Sequence, residues 1–233
     1  MKKIVVLTGA GISAESGIKT FRDADGLWEG HDVMQVATPQ GWKANQELVL
    51  EFYNQRRKQA KEVHPNTGHK VLAELEEGFE VQIITQNVDN LHERAGSSAV
   101  MHLHGELFLV RSTIDDSLIY HIDQVDEKGW ELKSGDLCEK GAQLRPHIVW
   151  FGEAVPMIDA AVEQVRSADI LVVVGTSLQV YPAAGLIDYA PEGVPIYVID
   201  PNMPSISPQE NLHLIEEIGS VGLLKLKEEL TTL

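Results

Sequence analysis

The sequence predicts an α/β protein built on a doubly wound parallel sheet, and three observations support this fold class. Short runs of apolar, β-branched residues lack the alternation of half-exposed strands, as expected for parallel strands covered on both faces. These runs are residues 4–7, 81–85, 170–174 and 195–199. Segments with helical spacing fall between them, and the 233-residue length suits one large domain with a small insertion.

Local signals place the remaining elements along the chain. A helix over residues 66–75 begins at Asn66, a capping-type residue behind a proline. Residues 156–167 carry one apolar stripe, and a helical segment over 182–189 begins with a proline suited to a first turn. We predict a final strand at 212–216 and a helix at 221–230.

Two insertions interrupt the alternation of strands and helices. The first, residues 30–63, contains a long amphipathic helix over 45–63, and the second, residues 112–143, is polar and rich in glycine. We predict that these insertions together form a small second domain. The larger domain then consists of residues 1–29, 64–111 and 144–233.

Composition excludes several classes of protein. The formal net charge of −16 argues against a broad nucleic-acid surface and favours basic partners, although simple solubility explains it equally well. A single cysteine, Cys138, excludes an internal disulfide and a multi-thiolate metal site. No apolar run approaches the roughly 20 residues of a membrane span. We expect a cytoplasmic protein that contacts no membrane.

The turn after the first strand is rich in glycine. Gly9 and Gly11 lie where backbone N–H groups meet a dinucleotide pyrophosphate in doubly wound folds. Ala14 occupies the place of the third glycine in the dehydrogenase motif, and no acidic residue ends a second strand about twenty residues later. From the glycines alone, a nucleotide site and a plain tight turn both stay open.

The residues that follow this turn resemble the cofactor loop of the sirtuin family. Residues 9–28 fit the form G-A-G-I-S-x-x-S-G-I-x-x-F-R followed by G-x-W. Four further sirtuin motifs occur in the same order, at residues 85–92, 104–106, 149–153 and 175–177. Together these motifs cover nearly the whole chain.

The resemblance implies a Rossmann-like sirtuin fold and an NAD-dependent protein-lysine deacylase. Such an enzyme transfers the acyl group to ADP-ribose and produces nicotinamide, O-acyl-ADP-ribose and free lysine. The implied cofactor is NAD, and the implied partners are acylated lysine-containing proteins or peptides. We expect a monomer.

The resemblance also implies a set of cofactor contacts. In it, Arg22 reaches the phosphates, Phe21 screens the reacting ribose from water, and Asp89 binds the nicotinamide carboxamide. The full set is Gly9, Ala10, Gly11, Ser13, Glu15, Phe21, Arg22, Trp28, Gln86, Asn87, Asp89, Gly175, Thr176, Ser177, Asp200, Asn202, Ser220 and Val221.

Two residues are expected to be catalytic, His104 and Asn87. A lone histidine is more often structural, and this chain has nine. Imidazole nevertheless titrates near neutral pH, as proton removal from a ribose hydroxyl requires. The sirtuin motif at residues 104–106 therefore implies that His104 is the base, with Asn87 beside the ribose.

The resemblance implies that a substrate peptide adds as a strand between residues 149–153 and 177–180, with weak sequence specificity. The residues alone would instead predict that 149–151 belong to the core. The acyl group would meet Ala37, Tyr53 and Arg56, the trio of desuccinylase and demalonylase sirtuins, although a solvated basic helix face is the alternative. The implied substrate-binding residues are Ala37, Tyr53, Arg56, Val149, Phe151, Gly152 and Glu153. We predict removal of acetyl, succinyl and malonyl groups.

The chain departs from the family at the structural zinc site. Most sirtuins hold zinc with two C-x-x-C pairs, whereas this chain has Ser112, Asp115, Cys138 and Gly141 at those positions. One thiolate does not bind a tetrahedral zinc tightly, so we expect no zinc. We expect packing of apolar side chains between residues 118 and 137 to hold this segment together.

Three other functions stay open as alternatives. A sensor of NAD or ADP-ribose would not need the base His104, and an ADP-ribosyltransferase would use the same cofactor on a different acceptor. A nicotinamide dehydrogenase fits least, because the third glycine and the ribose-binding acid are missing.

Overall fold

A computed structural model describes residues 1–19, 27–28 and 30–231 of the chain. The strands in these residues are β1 (Lys3–Thr8), β2 (Leu27–Trp28), β3 (His31–Asp32), β4 (Glu80–Thr85), β5 (Val100–His102), β6 (Gly105–Ser112), β7 (Ile119–His121), β8 (Leu144–Ile148), β9 (Ile170–Val174), β10 (Ile196–Ile199) and β11 (Leu212–Ile215). The helices are α1 (Ala10–Ala14), α2 (Val33–Val36), α3 (Pro39–Ala44), α4 (Gln46–Glu62), α5 (Thr67–Leu75), α6 (Leu91–Ala95), α7 (Ile158–Arg166) and α8 (Gly219–Thr231). None of the helices described is long and apolar enough to cross a membrane.

The larger sheet has six parallel strands in the order β11-β10-β9-β1-β4-β5. The doubly wound parallel sheet is therefore confirmed, and the four predicted central strands agree with β1, β4, β9 and β10. Strand β5 was not predicted, because three residues are too few to show a period.

Both faces of this sheet are buried. Ile4 and Val6 of β1 lie in a core with residues of α5 and α8, whereas Val5 and Leu7 lie in a second core with residues of α7. Successive strand residues point to opposite faces, so an uninterrupted apolar run is what two covered faces require.

Two of the helical predictions differ in detail from the structure. The segment predicted as helical over 182–189 is a 3₁₀ helix, Ala183–Tyr189, and α7 begins at Ile158, two residues after the predicted start. The helix predicted over 45–63 agrees with α4, which Asn45 caps by accepting from the Leu48 N–H.

A smaller antiparallel sheet, in the order β7-β6-β8, lies against α4. Strand β6 pairs with β7 on one side and with β8 on the other, and none of the three pairs with the larger sheet. The division of the chain into 1–29, 64–111 and 144–233 against 30–63 and 112–143 stays a prediction.

Helix α4 is tied to the second insertion through buried hydrogen bonds. The Asn54 side chain donates to the Leu132 carbonyl at 3.0 Å and accepts from the Leu132 N–H at 2.8 Å. Arg57, which is fully buried, donates from Nε to the Leu107 carbonyl at 2.7 Å, and burial lowers its pKa to about 10. These bonds satisfy backbone groups that would otherwise be unpaired.

Fewer apolar side chains of the second insertion are buried than the sequence predicts. Ile122 and Leu132 are fully buried in the core with α4, as predicted. Ile119 and Leu137, which we expected to pack, are 43% and 54% exposed. Ile119 lies in β7, whose three residues have too few neighbours to cover both faces of the strand.

We predict that Asn54→Ala lowers the free energy of unfolding by about 2–4 kcal/mol, because it leaves both Leu132 backbone groups buried without partners. Urea unfolding of the variant and of the wild type measures this difference.

The matched control is Gln55→Ala, since the exposed Gln55 side chain bonds, among the residues that the structure describes, to Glu51 alone. Its free energy of unfolding should stay within about 0.5 kcal/mol of the wild type. Equal effects of the two substitutions would contradict the role of Asn54.

Candidate active site

A cavity of about 540 Å³ opens at the carboxyl ends of the larger sheet's strands. Residues that directly follow β1, β4, β9 and β10 line it, at 9–11, 86–89, 175–177 and 200–202. Ligands bind at this edge of doubly wound sheets, and the volume is that of a small-molecule site.

Most sequence-predicted site residues meet in this one cavity. Those lining it are Gly9, Ala10, Gly11, Ser13, Glu15, Trp28, Ala37, Tyr53, Arg56, Gln86, Asn87, Asp89, His104, Val149, Phe151, Gly152, Glu153, Gly175, Thr176, Ser177, Asp200 and Asn202. Ser220 and Val221 do not line it, although the Ser220 N–H donates to the lining residue Glu15 at 3.0 Å. Phe21 and Arg22 lie outside the described residues.

The glycines after β1 form hydrogen bonds within the protein. The Gly9 N–H donates to the Val174 carbonyl at 3.1 Å, and the Gly11 N–H donates to the Gly175 carbonyl at 2.8 Å. A Cβ on Gly11 would lie 2.6 Å from the Gly175 Cα. Both N–H groups thus have acceptors within the protein, and contact of Gly9 and Gly11 with a cofactor stays a prediction.

Buried hydrogen bonds fix Asn87 and Asp89. Asn87 Nδ2 donates to the Gly9 carbonyl and to Ser13 Oγ, both at 3.1 Å. The Ser13 hydroxyl donates to Asp89 Oδ2 at 3.0 Å. Burial raises the pKa of Asp89, while bonds from the Leu91 N–H and from Ser13 oppose that shift. The predicted ribose and nicotinamide contacts thus share one network.

His104 has the geometry of a general base. Its Nδ1 lies 3.0 Å from the Gln86 carbonyl oxygen, so Nδ1 carries the proton and donates it there. That tautomer leaves Nε2 unprotonated. Burial lowers the pKa of His104, and the bond to Gln86 only partly opposes this, so the ring is neutral near pH 7.

A second histidine, His102, was not predicted as part of the site. Its Nδ1 lies 2.9 Å from the Asn87 carbonyl oxygen, and its Nε2 lies 2.7 Å from Glu93 Oε1. Burial alone would lower the pKa of His102, but the bond to the Glu93 carboxylate raises it overall. Two imidazoles therefore bind successive carbonyls, those of Gln86 and Asn87.

The predicted acyl trio lies at another part of the cavity. Tyr53 is fully buried, and Arg56 lies with its guanidinium carbon 5.3 Å from the Phe52 ring centroid. The Ala37 carbonyl accepts from the Phe151 N–H at 3.0 Å. This hydrogen bond joins the predicted acyl-binding residues to one of the two predicted peptide-binding edges.

Trp150 also lines the cavity, although the sequence indicated core there. Both descriptions hold, because Trp150 is 2% exposed and packs against Trp42 with ring centroids 5.8 Å apart. Its place inside the motif at 149–153 was the only available signal.

The positions of the zinc cysteines do not fit a zinc ion. Cys138 Sγ donates to Ser112 Oγ at 3.3 Å, and the Asp115 carboxylate accepts from Lys140 Nζ at 2.6 Å. Over the residues described, no three His, Cys, Asp or Glu side chains form a group able to hold a metal. One thiol beside a hydroxyl and an ion-paired carboxylate is a poor donor set for zinc.

Comparisons with known proteins agree with this geometry. The Sir2 family model matches residues 9–182. An NAD-dependent protein deacylase of Helicobacter pylori (strain ATCC 700392 / 26695) is 58% identical over 217 residues, covering 93% of this chain and 92% of that protein. One of Bacteroides thetaiotaomicron is 55% identical over 228 residues, covering 98% and 97%. The crystal structure of a Sir2 homolog–NAD complex has a TM-score of 0.86 and 39% identity, covering 99% and 90%.

We predict that the folded protein needs no zinc. Elemental analysis of purified protein should find well below one zinc per chain, and a chelator should leave Tm unchanged, because Cys138 bonds to Ser112 and Asp115 accepts from Lys140. A stoichiometric zinc that survives dialysis would overturn this expectation.

We predict that His104→Ala lowers turnover with NAD and an acylated peptide by about 10²–10⁴-fold, the usual cost of removing a positioned base. Circular dichroism should show an intact fold. A correctly folded variant within a few-fold of the wild type would exclude His104 as the base.

The pH profile of the wild type gives an independent check on His104. A base must be unprotonated, so kcat/KM falls as the pH falls through its pKa. Because burial lowers that pKa below 6.5, the midpoint of the acid limb should lie below pH 6.5. A midpoint above 6.5 would argue against His104.

Proposed function

The chain belongs to the Sir2 family and is an NAD-dependent protein deacylase, and we propose that it removes succinyl and malonyl groups, as well as acetyl groups, from lysine side chains. The observation that carries this proposal is that Tyr53 and Arg56 line the same cavity as the base His104. A guanidinium and a phenol near the reacting acyl group offer a carboxylate the donors it needs.

The chain's own residues fit NAD. The cavity is bordered by the polar ends of four parallel strands, and its donor and acceptor groups include Gln86, Thr176 and Asp200. Gln86 Nε2 donates to Thr176 Oγ1 at 3.0 Å, which ties the ends of β4 and β9 together. Bound NAD would supply the ribose carbon that the acyl oxygen bonds to as nicotinamide leaves.

The residues around that bond have separate tasks. We propose that Asp89 orients the amide of the departing group and that Asn87, held by Ser13 and Gly9, lies beside the ribose. His104 then accepts a proton at Nε2, because its Nδ1 proton is engaged by Gln86.

The acylated protein is proposed to bind as an added strand between residues 149–153 and 177–180. Phe151 is 44% exposed and Tyr181 is 75% exposed at the mouth of the cavity, so apolar surface is available beside both edges. Main-chain pairing there would accept many sequences. The net charge of −16 favours basic protein segments over nucleic acid as partners. We also propose a monomer that acts in the cytoplasm.

The acidic-acyl proposal rests on charge balance. An acetyl group ends in a methyl, whereas succinyl and malonyl groups end in a carboxylate. A buried carboxylate without a partner costs about 3–5 kcal/mol, and Arg56 would remove that cost. Arg56 is partly exposed, so water reduces the penalty.

We predict that Arg56→Met lowers kcat/KM for succinyl and malonyl peptides at least about tenfold more than for the matched acetyl peptide, about 1.4 kcal/mol of selectivity. The methionine keeps apolar contact with Phe52 but offers the carboxylate no donor. Steady-state kinetics on peptides of one sequence give the ratio.

Lys58→Met is the matched control, since it removes the same charge from the same helix. Lys58 is exposed, lies near Trp130 and does not line the cavity. It should leave the succinyl-to-acetyl ratio within about twofold of the wild type. An equal fall for all acyl groups in Arg56→Met would remove the acidic-acyl assignment.

A further inference from the structure

We propose that Trp150 is a specificity-determining residue: its indole N–H donates to the Tyr53 hydroxyl oxygen, and this leaves the Tyr53 proton for an acyl carboxylate. The inference rests on the proposed function, because it concerns how acidic acyl groups are selected. It assigns the selection of acidic acyl groups to the pair Trp150 and Tyr53 as well, and not to Arg56 alone.

The contact itself is short and buried. Trp150 Nε1 lies 3.0 Å from Tyr53 Oη. Tyr53 is 0% exposed and Trp150 is 2% exposed, yet both line the cavity. A hydrogen bond shielded from water in this way keeps one geometry, since no solvent competes for either group.

The chemistry of the two groups sets the direction of the bond. An indole N–H only donates, so the Tyr53 oxygen must accept. The phenol then has one proton left to donate. Within the described part of the chain, that proton has no protein acceptor, so an acceptor within the cavity is its natural partner. A carboxylate only accepts, whereas the methyl end of an acetyl group offers nothing.

Burial keeps the Tyr53 proton in place. Desolvation raises the pKa of Tyr53 well above its usual value, and this outweighs the opposing effects of the Trp150 bond and of Arg145 and Arg57. The phenol is therefore neutral throughout the working range of the enzyme. A neutral phenol donates to a carboxylate, while a phenolate would repel it.

A rigid set of neighbours holds the indole in this orientation. The Arg145 guanidinium carbon lies 3.4 Å from the Trp150 ring centroid. Arg145 donates to both oxygens of Glu153, at 2.7 and 3.1 Å. Glu153 also accepts from the backbone N–H of Trp150 at 2.8 Å. The ring is thus stacked on one side and anchored through its own backbone, and the Nε1–H points to Tyr53.

The experiment compares kcat/KM for succinyl and acetyl peptides of one sequence in the wild type and in Trp150→Phe. Phenylalanine keeps an aromatic ring but removes the donor. We expect the succinyl-to-acetyl ratio to fall about tenfold, mainly through KM of the succinyl peptide, because the lost interaction is one of binding.

Trp42→Phe is the matched control for lost packing. Trp42 is buried against Trp150 and does not line the cavity. It should lower stability as a core substitution does but leave the succinyl-to-acetyl ratio within about twofold. An equal change of ratio in this variant would overturn the proposal, since packing would then explain the effect.

A second variant protects the test against misfolding of Trp150→Phe. A chain with 3-benzothienylalanine at position 150 keeps the shape of the indole and replaces its N–H by sulfur. It should reproduce the tenfold fall in the ratio. If this variant keeps the wild-type ratio, the hydrogen bond does not select acyl groups and the proposal is wrong.

A double-mutant cycle separates action through Tyr53 from a direct effect. Because Trp150 acts through the Tyr53 hydroxyl, Trp150→Phe should leave the ratio unchanged in a Tyr53→Phe background. The same fall in both backgrounds would overturn the proposal.

Failure of the proposed function looks different from failure of this inference. A wild type that acts on acetyl peptides but not on succinyl or malonyl peptides overturns both. A wild type that acts on all three, with a ratio that Trp150→Phe leaves unchanged, overturns only the role of Trp150.

Discussion

The close approach of two glycine turns is the constraint on which the site depends. The turn after β1 touches the end of β9, where Gly11 donates to the Gly175 carbonyl and where a Cβ on either residue would meet backbone. Parallel pairing brings the carboxyl ends of β1 and β9 to one edge, and the glycines let the turns that follow these strands approach each other there. This approach also places the Gly9 carbonyl where Asn87 donates to it. The glycines shape the cavity through packing within the protein itself, independently of any ligand.

Two histidines on one segment show how neighbours decide the charge of a ring. His104 and His102 each bind a backbone carbonyl through Nδ1, and both are largely buried. Among the described residues, only His102 contacts a carboxylate, that of Glu93, and so its pKa is raised while that of His104 is lowered. The proposed base His104 thus has an environment that favours the neutral ring, whereas His102, which contacts the Asn87 carbonyl, has one that favours the protonated ring.

Side-chain hydrogen bonds join the smaller sheet to the candidate site. Asn54 and Arg57 bind backbone groups of the second insertion and of β6 from α4, the helix that also carries Tyr53 and Arg56. Helix α4 therefore connects the packing of the insertion to the proposed acyl-binding residues, and Trp150 donates to Tyr53 from outside this helix.

The sequence by itself determined the parallel sheet, since uninterrupted apolar runs such as residues 170–174 are stable only between two covered faces. It also indicated most cavity residues, because their motifs follow strands, and the ends of parallel strands meet at one edge. Only the tertiary structure decided that the Gly9 and Gly11 N–H groups donate to Val174 and Gly175, and that Trp150 donates to Tyr53. Those facts depend on partners distant along the chain, such as Tyr53, 97 residues from Trp150. A local sequence pattern does not show which buried donor bonds to which acceptor, because tertiary packing determines the pairing.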